Sequence, residues 1–344
     1  MEEVTILDVA EKAGVSPSTV SRVINESAPV ANETREKVNA AAEALGYTPN
    51  KFAHALRKQT SNVFGIIVPD ISNPFFSTLI RGAEGKFHEE NRSVIICDTK
   101  GETDKEQINV EMLIKERVDG VIVTSAEREI KGLSRLLDSG IPVIAVDRKT
   151  KVDGIPTVMA DNEGAGRSAT EHLLDRGCDE IGFIRGPAGV STASERFKGY
   201  RMALRNRGLN VDRAFVTRGD FTFESGREAM RRLVETNGRG SLPGGIVVAN
   251  DLMAVGVIRG AEELEIEVPT SLAVVGFDDI LLSRLINPPL TTVSAPTYEM
   301  GKIAAELTLD RAEGGEEAGE VEMEDRVFET ELVERESSQY GVKL

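Results

Sequence analysis

Histidine and cysteine are scarce in this 344-residue chain, and their scarcity excludes two common ways of building a site or a scaffold. Three histidines, His54, His88 and His172, lie far apart with no histidine or cysteine partner at ligand spacing, so a zinc site has no ligand set. The two cysteines, Cys97 and Cys178, stand in separate apolar contexts. That pattern is expected of reduced thiols and a cytoplasmic protein, not of a disulfide framework. No apolar run reaches the length of a membrane span. The start, MEEVTILDVAEKAG, is acidic and amphipathic where a secretory signal is basic and then apolar. No GxxxxGK[ST] phosphate loop, nucleophile elbow or paired His–Cys arrangement is present, and no acid, base or nucleophile is positioned for catalysis. We therefore expect no enzyme, no metal and no cofactor.

What is present is length and negative charge. A chain of this size exceeds one small core and predicts two or three domains. The formal net charge is −16, and it is uneven. Residues 1–60 carry seven Lys/Arg against eight Asp/Glu, which leaves −15 for the rest. A nearly neutral N-terminal piece can meet nucleic acid through a few placed cations, whereas the acidic body is repelled from phosphates.

The stretch TILDVAEKAGVSPSTVSRVIN, residues 5–25, reads as two short helices and a tight turn. Thr5 and Asp8 have capping-box spacing, and Gly14 stops the first helix. Ser16 caps the second, with Pro17 at its first position. Val20, Val23 and Ile24 form its inner face. Such a pair is a helix-turn-helix, whose second helix enters the major groove by its start. Here that start presents Pro17, Ser18, Ser21 and Arg22, short polar groups plus one residue able to fork onto guanine. A third helix is predicted from about Asn32 to Leu45, ended by Gly46. In the following YTPNKFAHALRKQTSN, Asn50 caps a short helix over Lys51–Lys58 that is marginal alone. Its Ala53 and Leu56 make sense as apolar wedges pushed into a minor groove by two paired copies, although the local pattern also fits a plain linker.

From residue 63 onward, β-branched runs alternate with helical stretches: VFGIIVPD, SVIICDT, GVIVTS, PVIAVDR, PTVMADN, EIGFIRG, AFVTRGD, GGIVVAN, AVVGFDD and LTTVSAP. These predict buried parallel strands in two doubly wound sheets. Ligands in such sheets bind at the carboxyl ends of strands. Asp147, Arg148, Arg196, Asn250 and Asp278 fall there, with Phe75, Phe76 and Phe221. Any one of them alone reads as a loop cap or a surface ion pair. As a set they suit a sugar, whose hydroxyls need paired donors and acceptors and whose C–H faces pack on rings. GAGRSA at 164–169 matches a dinucleotide fingerprint formally. Asp161, Asn162 and Glu163 crowd its entrance, however, and no clean strand-ending acid follows. Small residues for close helix packing explain it better.

VTILDVAEKAGVSPSTVSRVINE, TREKVNAAAEALGYTPN, ALRKQTSNVFGIIVPDISNPFF, RFKGYRMAL, NDLMAVGVIRGAEELEIEVP and PPLTTV together resemble the LacI/GalR (lactose-repressor) family of bacterial transcription regulators, over nearly the whole chain to about residue 335. The resemblance implies that Pro17, Ser18 and Arg22 read operator bases. Thr5, Ser16, Thr19, Ser21, Asn25 and Thr34 would hold phosphates, and Leu56 would be the minor-groove wedge. The sensor body is similar to periplasmic ribose-type sugar-binding proteins. That similarity implies an effector site of Asn73, Phe75, Phe76, Asp147, Arg148, Arg196, Phe221, Asn250 and Asp278. One position departs: Ala295 stands where a glutamine is usual, which removes a hydroxyl partner and counts against ribose itself. Arg148, where purine-responsive relatives carry an aromatic residue, counts against a nucleobase.

The expected architecture is α/β: an all-α helix-turn-helix domain at 1–47, a hinge at 48–61, and a two-lobed, periplasmic-binding-protein-like body. The expected lobes are 62–162 with 291–324 and 163–290 with 325–340, with crossovers near 161–163, 289–292 and 323–328. The expected function is a DNA-binding regulator, a homodimeric repressor on a pseudo-palindromic operator, controlled by a monosaccharide. A transport or chemotaxis sugar receptor would explain the body but leave residues 1–60 without a purpose. A regulator with a non-sugar effector stays open at this point. The acidic tail lacks sustained apolar heptads, so no tail-built tetramer is expected, and VEMEDRVFETELVERESS is read as adding final strands.

Overall fold

Thr5 opens the first helix as its spacing predicts. Its backbone N–H and its hydroxyl both donate to the Asp8 carboxylate, each at 2.7 Å. Helix α1 (Ile6–Ala13) runs to Gly14, whose φ of 68° closes it in the left-handed region. Ser16 Oγ accepts from the Thr19 N–H at 3.2 Å at the start of α2 (Pro17–Ile24), and α3 (Asn32–Leu45) ends at Gly46. Val9, Ala10, Val20, Val23, Val38 and Ala41 bury together as the core of these helices. The computed structural model describes residues 4–24, 28–47, 60–124, 132–314 and 324–341. The chain divides into two compact units, Met1–Ser61 and Asn62–Leu344.

In the second unit all ten predicted strands form, in chain order: β1 (Val63–Val68), β2 (Ser93–Asp98), β3 (Gly120–Val123), β4 (Val143–Val146), β5 (Thr157–Ala160), β6 (Ile181–Arg185), β7 (Val216–Arg218), β8 (Gly245–Val248), β9 (Ala273–Phe277) and β10 (Thr291–Ser294). Two short strands from the tail, β11 (Arg326–Phe328) and β12 (Glu331–Val333), complete two six-stranded sheets. Their orders are β11-β5-β4-β3-β1-β2 and β12-β10-β9-β8-β6-β7. Pairing is parallel except between β10 and β12. The central strands are buried on both faces, Ile66, Ile67 and Val68 in the first sheet and Ile246, Val247 and Val248 in the second, which is why they read as unbroken apolar runs.

Two crossovers lie later than expected. Thr291 stands opposite Val275 of β9, so the chain stays in the second sheet through Ser294 instead of leaving it near 289–292. The reason is a polar anchor. Thr292 Oγ1 donates to buried Asp251 at 2.7 Å, and Thr291 Oγ1 donates to the Arg335 carbonyl at 2.9 Å. The tail then returns to the first sheet. Arg326 stands opposite Val158 of β5, and Asp325 accepts from the Thr157 N–H at 2.9 Å. The third crossover therefore falls between Phe328 and Glu331, and residues 325–328 belong with the first sheet.

Helices α4 (Pro74–Glu89), α5 (Thr103–Lys115), α6 (Leu133–Asp138) and α12 (Thr297–Glu313) accompany the first sheet. Helices α7 (Asn162–Asp175), α8 (Ser191–Asn206), α9 (Phe223–Asn237) and α10 (Asp251–Glu263) accompany the second, and a short α11 (Leu282–Leu285) precedes β10. α7 and α8 cross at backbone contact. A Cβ on Gly166 would lie 2.0 Å from the Arg196 carbonyl, and one on Gly199 2.0 Å from the Glu163 carbonyl. This is the close packing that GAGRSA predicts. Gly199→Ala gains about 1 kcal/mol of helix propensity, but a clash with backbone belongs at the top of the overpacking range of ~1–3 kcal/mol. A net loss of about 2 kcal/mol is expected in urea unfolding, and an unchanged midpoint would show that the two helices separate freely.

Candidate functional site

In the first unit, Thr5, Ser16, Pro17, Ser18 and Arg22 are exposed, and Thr19, Ser21 and Thr34 are half-buried. Ser16 Oγ lies 2.8 Å from both Ser18 Oγ and Thr19 Oγ1, so the start of α2 carries a connected row of hydroxyls. Arg22 follows about one turn later on the same helix, while Val20 and Val23 turn inward. Asn25, Asn50, Ala53 and Leu56, and with them most of the expected hinge, lie outside the described residues.

In the second unit the nine predicted effector residues come together. Asn73, Phe75, Phe76, Asp147, Arg148, Arg196, Phe221, Asn250 and Asp278 all line one cavity, and Thr192 joins them. Most are delivered by element ends, and Arg196 by the second turn of α8. Asn73 caps α4, its Oδ1 accepting from the Phe75 N–H at 3.0 Å. Asn250 caps α10, accepting from the Met253 N–H at 3.1 Å, and its Nδ2 donates to the Phe221 carbonyl at 3.1 Å. Asp147, Phe221 and Asp278 have positive φ values of 66°, 74° and 106°, backbone that side-chain-bearing residues adopt at a cost of about 1–3 kcal/mol and that clusters at binding sites. Phe75 and Phe76 meet edge to face at 5.1 Å.

Arg196 is the hub. Its Nε donates to Asn162 Oδ1 at 2.8 Å, Nη1 to the Ala249 carbonyl at 2.7 Å and Nη2 to Asp278 Oδ1 at 3.1 Å. Its guanidinium also lies 4.7 Å from the centre of the Phe277 ring. Arg148 sits beside Asp147, Nε to Oδ2 at 3.4 Å, and its guanidinium lies 5.6 Å from both Phe76 and Phe221. The cationic plane thus fills the space between two aromatic rings. The remaining free volume is about 20 Å³, room for one water and not for a sugar ring. A sugar enters only if Arg148 moves or the two sheets part.

Charge is concentrated here. Burial raises the Asp147 carboxyl above its ordinary range, against the pull of Arg148 and Arg196. Burial also pushes Asp278 up to about 6, with Arg196 opposing and Asp147 adding to the rise. Behind it, Asp251 is pushed up to about 8 by burial and by Asp278. The Ser283 and Thr292 hydroxyls and the Ile280 N–H, which donate to Asp251 at 2.6, 2.7 and 3.1 Å, only partly oppose that rise. Sequence reasoning passed over Thr192 and Asp251, and met Asn162 only as a residue crowding the glycine motif at 164–169. Each begins or adjoins a helix, where a short polar residue reads as a cap. The one usable signal is that all three follow the carboxyl end of a strand.

Among the described residues no group of histidine, cysteine and carboxylate side chains is arranged to hold a metal, and no helix is long and apolar enough to cross a membrane.

Comparison with known proteins adds a second line. Residues 5–50 match the bacterial regulatory proteins of the lacI family, and residues 170–338 match a periplasmic binding protein-like domain. The chain is 36% identical over 313 residues to the ribose operon repressor of Escherichia coli K12, covering 89% of this chain and 92% of that protein. It superposes on the lac repressor dimer bound to operator and the anti-inducer ONPF with a TM-score of 0.85, 27% identity and coverage of 98% and 99%. A LacI family regulator from Enterococcus faecium with bound ribose gives a TM-score of 0.72 at 27% identity, over 82% of this chain and all of that one.

Proposed function

This chain belongs to the lacI family of DNA-binding bacterial regulatory proteins, and on that premise we propose that it is a cytoplasmic repressor that binds a pseudo-palindromic operator as a homodimer and is controlled by a monosaccharide held in the cavity between its two sheets. One observation carries the effector half of this reading. Nine residues from several strands and helices of both sheets converge on one cavity, where buried carboxylates, amides and guanidinium groups stand among three aromatic rings. That pairing of donors, acceptors and flat apolar surface is what a sugar ring presents in complement.

A monosaccharide is favoured over a nucleobase because position 148 carries an arginine, a donor for hydroxyls, where the resemblance puts an aromatic ring in purine-responsive relatives. Ala295 is not among the residues lining the cavity and stands where the resemblance puts a glutamine, so ribose is one candidate among pentoses and hexoses. The ribose operon repressor and the ribose-bound regulator support the sugar class. Dimerisation has its own support. Leu281, Leu282 and Leu285 are exposed at the short helix before β10, and clustered exposed leucines of this kind are ordinarily buried against a second copy. The transport-receptor alternative leaves the helix-turn-helix match at residues 5–50 without a purpose.

For the DNA half, Arg22 is assigned a base contact and the hydroxyls around Ser16 phosphate contacts. Arg22→Ala is expected to relax sequence preference, costing about 1–3 kcal/mol on the best operator and much less on mismatched ones. Binding of the full chain to a panel of operator variants measures this. A uniform loss across the panel would reduce Arg22 to a phosphate contact.

A further inference from the structure

A second pocket, on the outer side of the second sheet, carries the opposite charge from the molecule as a whole. It is an open cavity of about 1130 Å³ between α8 and the segment 209–216, lined by Arg185, Lys198, Arg201, Arg205 and Arg213. Its one acidic lining residue, Glu163, is engaged by Lys198 at 2.5 Å. Among the described residues no carboxylate forms an ion pair with Arg185, Arg201, Arg205 or Arg213. This contrasts with α9 and α10 of the same sheet, where Arg227, Arg231 and Arg259 all reach Glu263. In a chain of net charge −16, four unneutralised arginines around one cavity call for a ligand.

The geometry has a floor and two walls. Arg185 ends β6 and stands in register beside Arg218, which ends β7. Its guanidinium stacks 4.2 Å from the centre of the Phe197 ring, and its Nε is buried with no hydrogen-bond partner. Desolvation and the charges of Arg218 and Arg201 weaken its hold on its proton, a penalty that an anion would relieve. Lys198, Arg201 and Arg205 recur at helical spacing on α8 and form one wall. Arg213 sits on the other, with Leu209 and Val211.

We propose that this pocket binds a small molecule bearing two or more phosphate groups. Guanidinium forks match phosphate oxygens two at a time. The cavity is larger than one phosphate needs and slightly exceeds the usual range for small-molecule sites, as its open side leads one to expect. The site is separate from the sugar cavity: the two share no lining residue. The proposal does not depend on the sugar reading.

Calorimetric titration of the full chain with inorganic tripolyphosphate tests it. One saturating site per chain is expected, weakened at least tenfold in the double variant Arg201→Gln, Arg213→Gln. Both side chains are exposed and without ion pairs, so the variant should keep its thermal midpoint, which is measured alongside. Absence of saturable binding, or equal binding by the double variant, overturns the proposal. Operator affinity is measured in the same pair. A drop there, with tripolyphosphate binding unchanged, would assign the pocket to DNA phosphates and overturn it equally.

Discussion

Arg196→Ala is expected to lower the stability of the sensor body by about 3–5 kcal/mol, the cost of breaking a buried ion pair by removing one partner, and to reduce sugar affinity at least a hundredfold. The side chains of Arg196 and Asp278 are only 9% and 8% exposed, so solvent cannot replace the lost bond. Three acceptors are orphaned at once: Asn162 Oδ1, the Ala249 carbonyl and Asp278 Oδ1. The effector loses whatever donor Arg196 turns toward it and also the fixed position of Asp278. Arg196→Lys keeps the charge but not the fork, and should recover part of the stability while leaving sugar affinity low. Removing the negative partner first isolates the pair. In an Asp278→Asn background Arg196→Ala should cost substantially less, and urea unfolding of the four proteins gives the coupling energy directly. A cost below about 1 kcal/mol in the parent would mean that the pair is worth no more than a surface one.

A second large effect is on the pH dependence of stability. Asp278 and Asp251 are raised from 3.8 to about 6 and about 8. Each therefore binds its proton more tightly in the folded chain than in the unfolded one. Their linked contribution makes the folded state less stable as pH rises, from about 4 to about 6 for Asp278 and from about 4 to about 8 for Asp251. The slope approaches about 1.4 kcal/mol per pH unit for each group inside its window. The native chain without effector should accordingly resist urea better at pH 5 than at pH 8. Asp251→Asn should flatten the curve between pH 6 and 8, the upper part of the Asp251 window. A stability curve that climbs through that window in both proteins would mean that Asp251 is ionised in the fold and held by its three donors.

The central strands were legible because both their faces are buried, so their runs are apolar throughout, whereas the edge strands β2 and β7 are partly exposed and were legible from their β-branched residues and flanking turns. The helix-turn-helix was legible from local chemistry, the Thr5–Asp8 cap, Gly14, Ser16 and Pro17. The convergence of the nine candidate effector residues on one cavity was legible because parallel sheets bring strand ends to one side. Other features were set by contacts distant in sequence. Nothing local in LTTVSAP says which sheet its strand joins; the answer lies in Val275 opposite Thr291 and in Asp251 beneath Thr292. The alternation in VEMEDRVFETELVERESS did announce the tail strands, but three residues each do not say that one joins the first sheet and the other the second. Thr192 and Asn162 resemble helix caps until Arg196 and the cavity are in place. The position of Arg148 between Phe76 and Phe221 is a rotamer, which no sequence pattern encodes.

The central claim is that the cavity holding Arg196 binds a monosaccharide. Thermal unfolding of the full chain against pentoses, hexoses, disaccharides and purines tests it most directly. One monosaccharide at 100 times its dissociation constant should stabilise the folded state by about 2.7 kcal/mol and raise the midpoint selectively, and the same sugar concentration should stabilise Arg196→Ala by no more than about 0.4 kcal/mol. Stabilisation by no sugar, or an equal shift in that variant, would contradict the account.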